Sequence, residues 1–149
     1  LHLSLRRQRQ MCIRDRVKTL SYAVNVAALR YAQSQGADDV IFTSTDGYLL
    51  EGPTSGLVIE AADGLWTTPT GTTGILGSIT VSTVFEAAGE DGVKTSTRLM
   101  KRDEVLRAQG AWLLSSVRGV APILSVDGHP APQDEDMTHR LRAWAGFEN

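Results

Sequence analysis

The chain has one cysteine, three histidines and three lysines in 149 residues, and each scarcity removes a class of chemistry. A single thiol, Cys12, closes no internal disulfide and has no second cysteine with which to build a metal site. His2, His129 and His139 are scattered and show no ligand spacing. No apolar run approaches the roughly 18 residues that a membrane helix needs, and the first residues lack the apolar stretch of a secretory signal. The expectation is a cytoplasmic protein with no membrane partner. A net charge of −2 gives no electrostatic case for nucleic acid. What remains is 42% hydrophobic content in a length suited to one globular domain with a buried core.

That charge is unevenly spread. Residues 1–16, "LHLSLRRQRQMCIRDR", hold five arginines against Asp15, or +4; residues 17–149 hold ten basic and sixteen acidic side chains, or −6. The first sixteen residues read either as a basic arm for an anionic partner or as an extension that is non-native or disordered. The second reading is preferred and makes residues 17–149 the domain.

Along that domain, "SYAVNVAALRYAQSQG" (residues 21–36) spaces Tyr22, Val26, Leu29 and Ala32 as a helical face, with Ser21 as N-cap and Gly36 as the stop. "DDVIFTS" and "YLLEG" flank Asp46-Gly47, and "GLVIEAA" and "LWTTP" flank Asp63-Gly64, two hairpin signals in a row. "SITVSTVFEAAG" (residues 78–89) places Val81, Val84, Phe85 and Ala88 on one helical face. Then come a strand in "GVKTSTRLM", a short charged helix in "KRDEVLRAQ", a buried strand in "AWLLSS", and a strand in "VAPILSVDG". The helix "DEDMTHRLRAWAGF" starts near Asp134 and sets Met137, Leu141 and Trp144 on one side. This order predicts a mixed α/β domain.

Four places could carry chemistry. Lys18, in "VKTLSY", sits between apolar residues just before a helix, where partial desolvation lowers an amine's pKa and favours a nucleophile or Schiff base; the alternative is an exposed lysine. Glu51 ends a strand at the head of the small-residue run "GPTSG" and could hold a heterocyclic N–H⁺ protonated, or be a solvated loop acid. "GILGSIT" (residues 74–80) opens a helix with a glycine-rich turn, the arrangement of an anion or phosphate site and also of many helices without a ligand. Ser115, Ser116 and Gly119, in "SSVRGVAP", follow a buried strand and suit a plain turn or further phosphate donors.

The order of these segments resembles the C-terminal domain of class IV aminotransferases, the pyridoxal-phosphate enzymes of fold type IV, over about residues 17–130. "VKTLSYAVNVAALR" and "GADDVIFTSTDGYLLEGPTS" look most like aminodeoxychorismate lyases. The resemblance implies a mixed, largely antiparallel sheet or pseudo-barrel with packing helices. It implies that Lys18 holds pyridoxal 5'-phosphate as a Schiff base and moves the proton at the substrate Cα, and that Glu51 pairs with the pyridine nitrogen. It implies that Leu76 packs on a ring face, that the amides of Ile79 and Thr80 with the Thr80 hydroxyl hold the phosphate, and that Ser116 adds a hydroxyl donor. Tyr22 lies near the tyrosine that several relatives place beside the cofactor's 3-hydroxyl, one position closer to the lysine than in branched-chain enzymes.

Two positions depart from the family pattern. Relatives commonly read Ser-Asn where this chain has Ser55-Gly56, which puts the bracing of the Glu51 loop in question. They read Leu-x-Gly-Ile-Thr where it has Leu76-Gly77-Ser78-Ile79-Thr80, so a serine must tolerate the bend a glycine usually makes. The resemblance also implies a small domain ahead of the lysine, where this chain carries sixteen unrelated residues, so weak activity of the chain alone is expected. It further implies a homodimer acting on a small amino-acid-like substrate: foremost 4-amino-4-deoxychorismate, cleaved to 4-aminobenzoate and pyruvate for folate synthesis. Branched-chain or D-amino-acid transamination is the alternative, and an inactive fragment the one after that.

Overall fold

The computed structural model describes residues 22–147. Five strands form its main sheet: β1 (Gly56–Ala61), β2 (Gly64–Thr67), β3 (Thr95–Thr97), β4 (Gly110–Ser115) and β5 (Gly119–Pro122), in the order β3-β2-β1-β4-β5. All neighbours pair antiparallel except β2 with β3. Alternation along β1 explains the layering. Val58 faces one side with Leu65, Trp112, Leu114 and Val120; Leu57 and Ile59 face the other with Leu49, Met100, Val105 and Leu113. The sheet is thus apolar on both faces and must be covered on both.

Helix α3 (Ile79–Glu90) covers the first face through Val81, Val84 and Ala88, with Phe85 packed beside them, the face the spacing predicts. The helix α5 (Glu135–Trp144) joins it with Met137 and Leu141. Asp134 caps α5 by accepting from the Met137 amide at 2.7 Å, and Trp112 donates its indole N–H to Thr138 Oγ1 at 2.8 Å, pinning the helix to β4. Trp144 remains partly buried and donates to Asp91. The second face is covered by residues 40–51 and by α4 (Arg102–Arg107), whose start is braced by Glu104 accepting from the Lys101 amide at 2.7 Å. The short α2 (Thr70–Thr73) links β2 to the loop ahead of α3.

Four expectations change. The helix α1 (Ala23–Ser34) does not bury Val26, which is 43% exposed; it packs through Ala28 and Ala32 against Val40, with Asn25 half-buried one turn before. Small residues at i, i+3 and i+7 let the helix approach closely, which spacing of the bulkiest residues does not reveal. Ser21, the expected cap, lies outside the described residues, as do Lys18 and residues 1–16.

The first hairpin forms its hydrogen bonds but no regular ladder. The amide of Phe42 donates to Glu51 O at 2.9 Å while the amide of Leu50 donates to Phe42 O at 2.8 Å, so Leu50 and Glu51 share one partner. That doubling is a bulge. It breaks the period-2 alternation, burying both Leu49 and Leu50 and leaving Glu51 half-buried.

The strand expected over "VAPILSVDG" is two pieces. β5 stops at Pro122, and β6 (Ser125–Val126) leaves to pair with β7 (His129–Pro130). Asp127 (φ 52°) and Gly128 (φ 79°) make the left-handed two-residue turn between them. Likewise, the regular part of "GVKTSTRLM" is only β3, beyond which Arg98 turns to stack on Trp66 and pair with Glu104 at 2.6 Å.

Glu60 is the one acid in the core of β1. It is 8% exposed, its Oε2 has no hydrogen-bond partner, and burial, reinforced by Asp134 and only partly offset by Arg140, raises its pKa above the usual 4.5. The folded state therefore favours protonated Glu60: its contribution to stability is complete below the unfolded carboxyl's range and is lost as pH rises through the raised folded value. Glu60→Gln is expected to match the natural chain near about pH 4 and to be the more stable of the two near about pH 7. Urea midpoints across that range check this, and a variant less stable at neutral pH would contradict it.

Candidate functional site

The register of the central strands brings several loops to one end of the sheet. β1 begins at Gly56, paired with Leu114 near the end of β4, so the turn carrying Ser115 and Ser116 leaves the sheet beside the start of β1. The segment leading into β1 is the loop after Glu51. It is closed by the Gly52 amide donating to Ser55 O at 2.9 Å. Helix α3 starts at the same end, because Gly56 lies directly against its first turn: a Cβ on Gly56 would sit 3.1 Å from Ser78 Cβ and 2.7 Å from Val81 Cγ2.

Glu51 and the loop before α3 meet. The Leu76 amide donates to Glu51 Oε1 at 3.4 Å, a long bond linking positions twenty-five residues apart, which places the carboxylate beside the turn predicted to bind an anion. Downstream, Ser78 caps α3, its Oγ accepting from the Val81 amide at 3.2 Å. Among the described residues the amides of Ile79 and Thr80 have no acceptor, so two donors at the positive end of a twelve-residue helix stay available. Ile79 is 85% exposed there. Ser116 is exposed on its turn, which Ser115 Oγ steadies by accepting from the Arg118 amide at 3.1 Å and Arg118 by pairing with Asp39 at 2.6 Å.

Both departures in the sequence find a physical account here. Ser78 has φ −81° and ψ 118°, extended backbone open to any residue, so the bend does not need glycine and the serine adds a cap. Gly56 is buried with no room for a side chain; the loop is braced instead by its own turn and by Asn25, whose Nδ2 donates to Pro53 O at 2.7 Å. Asn25 belongs to α1, so the helix that follows Lys18 is tied to the loop that follows Glu51. Sequence reasoning missed Asn25, for which no local signal exists. It also read Ser78 as the first helical residue, although a serine before an apolar run is an N-cap signal. Tyr22 stands at the head of α1, half-buried, its carbonyl accepting from Val26 at 2.8 Å.

Comparison with known proteins gives this end of the sheet a context. The family model for amino-transferase class IV matches residues 1–126. The chain is 44% identical over 123 residues to the bifunctional aminodeoxychorismate lyase / D-amino acid transaminase of Mycobacterium tuberculosis, covering 78% of this chain and 42% of that protein. It is 35% identical over 108 residues to a branched-chain-amino-acid aminotransferase of Pseudomonas aeruginosa, covering 72% and 34%. Among solved structures, a fold IV transaminase from Curtobacterium pusillum superposes with a TM-score of 0.80 at 45% identity, over 87% of this chain and 43% of that one. The PLP-bound form of a hypothetical aminotransferase from M. tuberculosis superposes with a TM-score of 0.81 at 41% identity, over 87% and 45%. The chain thus spans less than half the length of these relatives. Its sequence and its fold agree: this chain belongs to the class IV aminotransferases.

Proposed function

We propose that this chain carries the cofactor-holding part of a class IV lyase or transaminase, and foremost of one that converts 4-amino-4-deoxychorismate to 4-aminobenzoate and pyruvate for folate synthesis. The family works with pyridoxal 5'-phosphate. The residues present fit that group: a carboxylate, Glu51, for a protonated ring nitrogen, and two acceptor-free amides with a threonine hydroxyl for a phosphate. Ser55 Oγ, buried without a hydrogen-bond partner in the same loop, is a further polar atom that a bound ligand could satisfy. The single observation that carries the proposal is the contact between Glu51 and the Leu76 amide, because it sets the anion-binding turn and the acid side by side.

When bound, the cofactor would supply an electron sink for charge developing at the substrate Cα. The chain's own groups do the rest. Lys18 would supply the amine that holds the cofactor and would take and return the proton at the substrate Cα. Glu51 would accept from the ring N–H⁺ and keep it protonated. Leu76 would cover one ring face; Ile79 and Thr80 would donate to the phosphate, and Ser116 would add a hydroxyl. Residues 17–149 form the domain that holds these groups, and homodimerisation and a cytoplasmic location belong to the same proposal.

Transamination is the second reading, favoured by the likeness to the P. aeruginosa enzyme and by 30% identity over 116 residues to a D-alanine aminotransferase of Bacillus licheniformis. Pyruvate released from aminodeoxychorismate without an added keto acid supports the lyase. Turnover only when a keto acid is supplied supports the transaminase.

Two outcomes are expected on mixing the chain with pyridoxal phosphate. Borohydride reduction should leave one pyridoxyl group on Lys18, found by peptide mass, and none in Lys18→Ala; labelling elsewhere, or equal labelling of the variant, defeats the assignment. Glu51→Gln keeps an oxygen for the Leu76 amide but loses the charge. It should weaken cofactor binding about 10- to 100-fold, the worth of a hydrogen bond to a charged group (about 1.5–3 kcal/mol). Unchanged affinity in an absorbance titration would exclude Glu51 as the ring nitrogen's partner.

A further inference from the structure

The contact between Gly56 and α3 sets more than local packing. Four residues separate Gly56 from Glu51, and the loop between them is closed on itself by the Gly52–Ser55 turn and tied to α1 by Asn25. On its other side Gly56 touches the first turn of α3, the turn that presents the free amides of Ile79 and Thr80. Ser78 fastens that turn from within: its Oγ accepts from Val81, and its carbonyl accepts from the Ser82 amide at 3.0 Å and the Ser82 hydroxyl at 3.1 Å. The carboxylate and the amides are therefore joined by a short chain of contacts through a position with no side chain.

We propose that Gly56 and Ser78 are positioning residues that fix the spacing between Glu51 and the Ile79–Thr80 amides, and so match the site to a ligand bearing a phosphate at a set distance from a cationic ring nitrogen. This rests on the functional reading above and deepens it. A methyl group at position 56 lies 2.7 Å from Val81 Cγ2, 3.1 Å from Ser78 Cβ and 3.4 Å from Ser78 Oγ. The first of these is closer than packed carbon atoms approach, so either the Val81 side chain or the first turn of α3 that carries it must give, and the tight Ser78 contact beside it presses on the same turn. A shift of that turn would move the Ile79 and Thr80 amides relative to Glu51, and so act first on a phosphate held there. Loss of the Ser78 hydroxyl acts on the same amides without any clash, by releasing the cap that holds the turn.

The test compares pyridoxal 5'-phosphate with pyridoxal, which lacks the phosphate, by absorbance titration of the whole chain. Gly56→Ala is expected to bind the phosphorylated form about tenfold more weakly while its affinity for pyridoxal stays within about twofold, so the preference for phosphate falls by about that factor. Ser78→Ala should move the preference in the same direction by about fivefold, the ordinary worth of a lost cap. Gly56→Ala combined with Val81→Ala, which removes the nearest atom, should regain most of the preference relative to Val81→Ala alone. A role in stability alone would lower the melting temperature and weaken both ligands equally, and that result overturns the proposal. So does a preference unchanged in Ser78→Ala, which decides the matter even where Gly56→Ala does not fold. If the natural chain itself binds both ligands equally, the phosphate assignment under the proposed function falls, and the positioning role falls with it; a natural preference that neither variant moves overturns the positioning role only.

Discussion

Gly56, the first residue of β1, is buried against Ser78 and Val81 in the opening turn of α3, and the candidate site depends on that contact. A strand and a helix rarely come so close, since any Cβ would keep them apart. Here their approach is held from three sides. Register pairs Gly56 with Leu114 in the sheet, Val81 and Val84 bury α3 on the face that Val58 shares, and Ser78 seals the helix end. The core of the domain and the geometry of the site are therefore one structure. Apolar burial on the α3 face, worth roughly 25 cal/mol per Å² removed from water, also holds two unsatisfied amides in place at the sheet's end.

The electrostatic layout follows from this packing. A negative side chain, Glu51, and the positive end of α3 lie close together, bridged by the Leu76 amide. Left alone they would attract one another. The Glu51–Leu76 hydrogen bond is long at 3.4 Å, and Ser78 takes the amide of Val81 for itself. A ligand carrying a cation at one end and a phosphate at the other would meet complementary charge at both. Water would provide the same hydrogen bonds without their fixed spacing, which is why preorganisation at such sites favours a rigid ligand.

Much of this was legible in the sequence. Alternation and the dipeptide Asp63-Gly64 marked β1 and β2, the face of α3 followed from Val81, Val84 and Ala88, and Asp134 announced α5. These signals are local and strong. What was not legible depends on approach between distant segments. The packing face of α1 was read only in part: Ala32 is buried as its spacing predicts, but helices that pack closely do so through small residues, and Ala28 carries less hydrophobic signal than the exposed Val26. The bulge at Leu50 and Glu51 is invisible because both strands look regular until they pair. Of the site, Glu51 and the turn at residues 74–80 stood out and are brought together. Gly56 read as a loss, yet it is the point of contact; no pattern in one strand reports the helix that lies across it.

The division of labour within the chain bears on how relatives of one fold differ in chemistry. A lyase and a transaminase need the same opening events: an amine to hold the cofactor, an acid to keep its ring protonated, and a base to take the proton from the substrate Cα. At the sheet end the described elements set a carboxylate beside the N-terminus of α3, and Ile79 and Val117 stand 85% and 93% exposed there. Apolar side chains so exposed bind little by themselves, because each still faces water on most of its surface. The M. tuberculosis relative is named for both a lyase and a transaminase activity, so in that protein one fold serves two outcomes.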